Sequence, residues 1–451
     1  MSNPDIVKSI QNLLDQIKSG HRDSEIYFEI GKQYGALGKI YESLLAYACG
    51  INYTGKPDGI RAALEEYQEA SGIVGSDCPK KLLMLALAAK FPDPPSLRNI
   101  NEFGTKGERK LDNSVAIIVD SALDIQHFAD HTNRDDLLEG FKDYFGTMIG
   151  GGTETSIGAI CGEIQAAHPK RVLSVAYFPE NLPGEIKPDT RFKEHRSVPD
   201  EPFMFRKPLQ YWADILGSGC RPENVKVLGF SIAPDAILEY ILAIAFGASV
   251  VMFQEFEKPV SERIDDPLYL LLENTVYYPH YPYVLRCYIG TGLPSFPLPM
   301  REIVAKAVHE TYRIMRSPFQ SEQSMAEWDD LSSEMKQSNL KSVDHVVQKF
   351  NEIGLKLELV EGSEIMPADL SIDQVETLAS MEHARWISER LLSGWMYGEK
   401  KDFEKKTDPS IIPWSELTDE IQEIDRALVR KLPVFLGHFD LELRKFDFNP
   451  M

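Results

Sequence analysis

Between Met148 and Ile164 the chain reads MIGGGTETSIGAICGEI: three consecutive glycines, a run of small hydroxyl residues, then apolar residues at helical spacing. Glycine has no Cβ, so the amides of Gly150, Gly151 and Gly152 can come close to a ligand. A helix starting just beyond them adds unpaired N–H groups and the positive end of its dipole. Together these suit an anion such as phosphate or pyrophosphate. Thr153, Thr155 and Ser156 would add hydroxyl donors. The same residues also suit a plain turn that needs positive φ, and both readings stand at this point. The spacing does not match GxxxxGK[ST], nor does it complete GxGxxG, because Gly150 and Gly152 are followed next by Gly158.

Such a loop needs a strand before it and a helix after it. From Ser114 the runs SVAIIVDSA, FGTMIGGG, RVLSVAYFP, VKVLGFSIA and SVVMFQE read as buried strands. RDDLLEGFKDYF, TSIGAICGEIQAAHP, FRKPLQYWADILGSG and APDAILEYILAIAFG read as the helices between them. Strands joined through helices pair in parallel, which predicts a doubly wound, mainly parallel α/β sheet over residues 110–256. Ligands of such sheets lie outside the carboxyl ends of the strands, where this loop falls. Asp120, Ser121, Phe178, Ser231 and Asp235 fall at or just past neighbouring strand ends, where they would line the same crevice. Asp120 and Glu163 are the carboxylates available for acid–base work on a glycosidic bond there. Cys161 falls on an apolar helical face and reads as core.

Residues 1–95 read as a helical cap, with apolar residues at i, i+3 and i+4 through Ile6–Ile17, Ile26–Tyr47, Ile60–Tyr67 and Leu82–Phe91. SEIYFEIGKQYGALGKIYESLLAYACGI resembles a tetratricopeptide hairpin, but one copy is no array. Residues 257–300, rich in Pro and Tyr, read as an irregular connector. The longest apolar run, Ala236–Phe253, carries Glu239 and breaks at Gly247, so it reads as a buried helix and strand rather than a membrane span. A net charge of −21 disfavours nucleic acid and anionic membranes as partners. The five cysteines form no CxxC pair, which fits a reducing cytosol. His127 and His131 lie four apart among acidic residues and read as an exposed loop, with no metal site expected.

GGTETSIGAICGE (Gly151–Glu163) resembles the glycine loop of the SLOG family of Rossmann-like nucleotide-binding domains. It is most similar to the version at the N-terminus of melastatin-type TRP channels. Gly151, Gly152, Thr153, Thr155, Gly162 and Glu163 carry the likeness, while Ser156 stands where glycine is usual. The resemblance implies an ADP-ribose-like nucleotide ligand. Some members are phosphoribohydrolases with PGGxGTxxE, and Glu154 falls too early for that spacing.

From Met381 two helical segments flank a loop rich in Trp, Gly, Lys and Pro. Cations over aromatic faces make good local packing, which reads first as a small satellite core with solvated lysines, and also good pockets for a base and its phosphates. The segment resembles the ryanodine receptor repeat domain: His383 and Trp386, then GWxYG (Gly394, Trp395, Tyr397, Gly398), then Pro413, Trp414 and Leu417, with Asp425–Arg426 on the last helix. Asp408–Pro409 stands where the family usually has His-Pro. The resemblance implies a recognition module over 372–440, with a pocket of His383, Trp386, Arg390, Trp395, Tyr397, Lys401, Trp414 and Arg426. WDDLSSEM (from Trp328) parallels WSELTDEI (from Trp414), and KAVHETY parallels SMEHARW, which predicts a degenerate copy at 301–360. Ser332 and Thr418 read as N-caps.

The combined expectation is a cytosolic nucleotide sensor, with a nucleotide as small-molecule partner and a homo-oligomer or protein contact through the helical N-terminus. Relatives of this kind imply nucleotide signalling or antiviral defence. An N-glycosidic hydrolase acting on NAD or a nucleotide, and a non-catalytic scaffold, are the alternatives.

Overall fold

The computed structural model describes residues 3–18, 21, 23–53, 78–90, 110–119, 131–153, 157–180, 187–198, 203–231, 234–252, 275–277, 284–290, 298–316, 325–359, 369–437 and 441–445. The chain forms two compact units, Met1–Leu138 with Phe145–Tyr278 and Glu139–Tyr144 with Pro279–Met451.

The first unit opens with helices α1 (Asn3–Lys18), α2 (Ser24–Ala36), α3 (Ile40–Tyr53) and α4 (Cys78–Lys90). Asp23 caps α2 by accepting the Ile26 amide at 3.0 Å. α2 and α3 form the expected hairpin, and Ser43 donates its hydroxyl to the Gly31 carbonyl at 2.6 Å where they cross. Ile60–Tyr67 lies outside the described residues.

The rest of this unit is the parallel sheet that the alternation of runs predicts. Its strands are β1 (Val115–Val119), β2 (Gly146–Gly150), β3 (Val172–Pro179), β4 (Glu194–Val198), β5 (Val225–Gly229), β6 (Ser249–Met252) and β7 (Thr275–Tyr277). Their order is β4-β3-β2-β1-β5-β6-β7, and every neighbouring pair is parallel. Between them come α5 (His131–Gly140), α6 (Ala159–Ala167), α7 (Phe203–Gly217) and α8 (Pro234–Phe246). The chain steps outward from β1 to β4, then returns to the other side of β1, so the winding direction reverses between β1 and β5.

β1 is buried at all five positions, as a central strand covered on both faces must be. Val115, Ile117 and Val119 share one core with α7, α8 and the N-terminal helices, including Tyr47, Leu85, Trp212 and Tyr240. The helical cap is therefore built into the sheet unit. The apolar run Ala236–Phe253 resolves into α8 and β6, and no described helix is long and apolar enough to cross a membrane.

Two strands depart from the expected pattern. β4 reads EHRSV and has only Arg196 and Val198 buried, so an edge strand hides inside a polar stretch. Arg196 is held there by Asp214 of α7 at 2.8 Å and Glu194 at 2.7 Å, while the Tyr177 hydroxyl donates to Asp214 at 2.7 Å. β7 lies within 257–300, as does helix α9 (Val284–Ile289), so that stretch is not the uniformly irregular connector expected. Three- and six-residue elements are too short for periodicity to reveal.

The second unit adds α10 (Leu298–Arg316), α11 (Ser333–Asp344), α12 (Val346–Glu352), β8 (Leu355–Leu359), α13 (Ile372–Leu392), β9 (Met396–Tyr397), β10 (Thr407–Asp408), α14 (Asp419–Gly437) and β11 (Leu441–Lys445). β8 and β11 pair antiparallel. Ser371 and Gln374 form a capping box at the start of α13. Buried Arg286 of α9 meets Glu352 at 2.6 Å and also Asp143, a residue this unit takes from the middle of the chain.

Candidate functional sites

The glycine loop leaves β2 at its carboxyl end, one strand away from the β1/β5 crevice where the winding reverses. Gly150 faces α6: a Cβ there would meet the Cys161 sulfur at 2.9 Å. Gly152 has φ +72, and a Cβ on it would lie 2.3 Å from the Ala176 Cβ and 2.7 Å from Phe178 Cζ. Glycine is thus required twice over at 152, by the left-handed backbone and by the side chains beneath it. The Gly152 carbonyl accepts the Asp189 amide at 2.8 Å, and Thr153 bridges to Pro188. The amides of Gly151 and Gly152 have no acceptor among the described residues. Thr155, Ser156, Asp120 and Ser121 lie outside those residues, as does the side chain of Asp235.

Other expected members of this site are engaged in packing. Ser231 is fully buried, and Tyr240 donates its hydroxyl to the Ser231 carbonyl at 2.9 Å. Glu163 points to Arg134 of α5, which grips its carboxylate from two nitrogens. Phe178 is buried, with the His195 ring stacked on it at 5.4 Å.

Asp189, His195 and Arg191 around the loop carried no signal in the sequence. Burial alone would raise the Asp189 carboxyl, but the Arg191 guanidinium and amide hold it below the usual carboxylate range. His195 Nε2 contacts the Asp189 carbonyl at 3.1 Å. The Arg191 guanidinium is taken up by the Asp189 carboxylate, and the stacked Phe178 and His195 rings lie under and beyond the loop.

In the second unit the structure brings together nearly all the expected residues, in two linked groups. In the first, the Arg390 guanidinium lies 5.6 Å from the Trp386 centroid and 4.9 Å from that of Trp395. Phe403 meets Trp395 edge-on at 5.4 Å, and Lys401 sits over Phe403 while pairing with Asp408 at 3.2 Å. In the second, Trp414 donates Nε1–H to Glu376 at 2.8 Å, and Arg426 pairs with the same carboxylate at 2.7 Å while covering the Trp414 ring. His383 links the groups, stacked on Trp386 at 5.8 Å and tilted against Trp414 at 5.8 Å. Tyr397 stands apart on β9, 56% exposed. Glu376 and Phe403 are members that sequence reasoning missed.

The His–Trp geometry occurs twice. His383 donates from Nε2 to the Ile412 carbonyl at 2.9 Å, two residues before Trp414. His309 of α10 contacts the Ala326 carbonyl at 3.0 Å, two residues before Trp328. Each Trp opens a short 3-10 turn, Trp328–Asp330 and Trp414–Glu416, and each turn leads into a helix. Ser332 caps the first of those helices by accepting the Met335 amide at 3.3 Å.

Burial lowers the His383 imidazole below its ordinary range and lowers His345 well below it. Both are neutral in the folded chain at neutral pH, whereas in the unfolded chain they take up a proton near about pH 6.5. Their contribution to stability is complete above that value and is lost as pH falls through it. The urea midpoint of this unit should drop between about pH 7.5 and about pH 5.5, with His383→Gln flattening part of the slope. A pH-independent midpoint would refute the assignment.

The family model of the RyR domain matches residues 364–445, the stretch holding α13, β9, β10, α14 and β11. That stretch includes every residue of the two linked groups. No curated protein matches the chain.

Proposed function

We propose that this protein is a nucleotide sensor. In this reading the loop Gly150–Ser156 holds the phosphates of an ADP-ribose-like or cyclic nucleotide, and the RyR domain recognises a ligand or transmits the binding event. One observation carries it: two glycine amides without a described acceptor, at the carboxyl end of a central parallel strand, one strand from the reversal of winding. Phosphate oxygens would complete those amides, biasing the chain toward the bound conformation. The resemblance of the loop Gly151–Glu163 to that of SLOG domains supports the same ligand class. The scattered cysteines favour a cytosolic setting, and the exposed faces of the N-terminal helices are the surface offered to a partner or a second copy.

Hydrolysis of an N-glycosidic bond is the weaker reading, because Glu163 is committed to Arg134. Thermal melting with ADP-ribose, cyclic nucleotides and NAD tests the sensor. Saturable stabilisation is expected, worth about 2.7 kcal/mol at a hundredfold excess over Kd. Gly151→Asp, which sets a carboxylate against the phosphate, should abolish it. Silence across the panel would leave a scaffold, and nicotinamide released from NAD would point to an enzyme.

A further inference from the structure

An isoleucine exposed on a helix buries little and still loses χ1 freedom against the preceding turn. α10 carries two such residues: Ile303 is 52% exposed and Ile314 74%. They lie about three helical turns apart, so they share one face. Between them on that face stand Lys306 and Glu310, one turn apart, with Glu302 and Arg313 along its edge. The opposite face holds Val304, Ala305 and Val308, which belong to one core with Leu428, Val429 and Leu432 of α14. The helix is therefore anchored from behind, and its outer face is fixed. Lys306 is steadied by the Trp328 ring, whose centroid lies 5.8 Å from its ammonium.

Apolar residues scattered singly on a surface need no explanation. The order of side chains along this face does. From the N-terminal end it runs apolar, cation, anion, apolar: Ile303, Lys306, Glu310, Ile314. Turned end for end, the same helix reads apolar, anion, cation, apolar, which is its own complement. An antiparallel second copy, with a two-fold axis beside Val308, sets Lys306 opposite the partner's Glu310 and Glu310 opposite the partner's Lys306. It also brings each Ile303 beside the partner's Ile314. Within one chain Lys306 pairs with Glu302 at 3.4 Å and Glu310 with Arg313 at 2.6 Å. Exposed pairs of this kind are weak, so the side chains exchange partners at little cost. α10 also sets the cations Arg301, Lys306, Arg313 and Arg316 against the carboxylates Glu302 and Glu310 alone. Two chains of net charge −21 repel each other, and a locally basic helix is a place where they can touch.

We propose that the outer face of α10 is a homodimer interface, on which a second copy of this chain docks antiparallel across a two-fold axis near Val308. It is a different surface from the N-terminal helices offered to a partner above, and it needs no nucleotide. Two helices alone bury less than the roughly 1,200 Å² of a standard interface, so the dimer is weak and forms as concentration rises. Sedimentation velocity of the full chain should show a species of twice 51.0 kDa growing in up to about 100 μM. Ile314→Asp should raise the dissociation constant at least about tenfold, because it sets a carboxylate into the apolar contact. Lys306→Glu and Glu310→Lys should each do the same alone, since either change places like charges across the axis twice. Mixed in equal amounts, the two charge variants should recover the dimer, because every pair across the axis is again of opposite sign. All three should melt like the wild-type chain, since the altered side chains face solvent in the monomer. A wild-type chain that stays monomeric at about 100 μM overturns the proposal, as does a mixture of the two charge variants that stays monomeric. A dimer that survives Ile314→Asp and both charge variants is held by another surface, and the proposal falls.

Discussion

Glu382→Ala should cost the second unit about 3–5 kcal/mol, the range for breaking a buried ion pair by removing one partner. Glu382 is 3% exposed and gathers three donors from three helices: Ser342 of α11 at 3.0 Å, Lys349 of α12, and Arg385 of α13 at 3.0 Å. Burial opposes its ionisation, yet Arg385 and Lys349 hold the carboxyl far below the ordinary carboxylate range. Arg385 keeps a second partner in Glu389 at 2.8 Å, but Lys349, 1% exposed, is left a buried ammonium with no counter-charge. The orphaned cation should dominate the loss, so Glu382→Ala with Lys349→Met should recover much of it. Denaturant midpoints of the four proteins in that cycle decide the matter. If the double variant is no better than Glu382→Ala, the damage comes from lost packing instead.

Gly152→Ala should destabilise the sheet unit by about 2–5 kcal/mol. Roughly 1–2 of that comes from placing a Cβ in the left-handed region and roughly 1–3 from overpacking against Ala176 and Phe178. The same substitution should remove nucleotide stabilisation, because the loop cannot keep its path with β3 pushed away. Ala176→Gly deletes the nearest obstacle, so the double variant should regain part of the overpacking loss and none of the backbone loss. A Gly152→Ala protein that melts like wild type would show that the loop has room to spare, and would weaken the case for a built site.

Much of this could be read from residue types. The runs around Ile117, Ile149, Val175, Val227 and Val250 announce five strands because central parallel strands are apolar on both faces. β4 escapes because an edge strand can carry His195 and Ser197 outward and still turn Glu194, a buried arginine and Val198 to the other face. The aromatics and cations of the RyR domain were legible by type and by likeness. Their partners were not, since Glu376 reaches Arg426 across 50 residues and Lys349 reaches Glu382 across 33, and local pattern carries no such information. Ser231 shows the opposite failure: a serine after a strand end looks available, but Tyr240 of α8 bonds its backbone and closes it off.

The capture of Glu139–Tyr144 by the second unit bears on how the gene can be cut. A fragment starting at Pro279 matches the apparent border of the C-terminal unit, yet it strips Arg286 of Glu139 and Asp143 and leaves Glu352 as its one carboxylate among the described residues. Whoever expresses that unit alone inherits a buried guanidinium that has lost two of its three carboxylates. The remedy is to supply the missing hexapeptide through a designed linker or to replace the arginine with an apolar residue of similar bulk. Modularity in this protein follows the folded contacts rather than the order of codons.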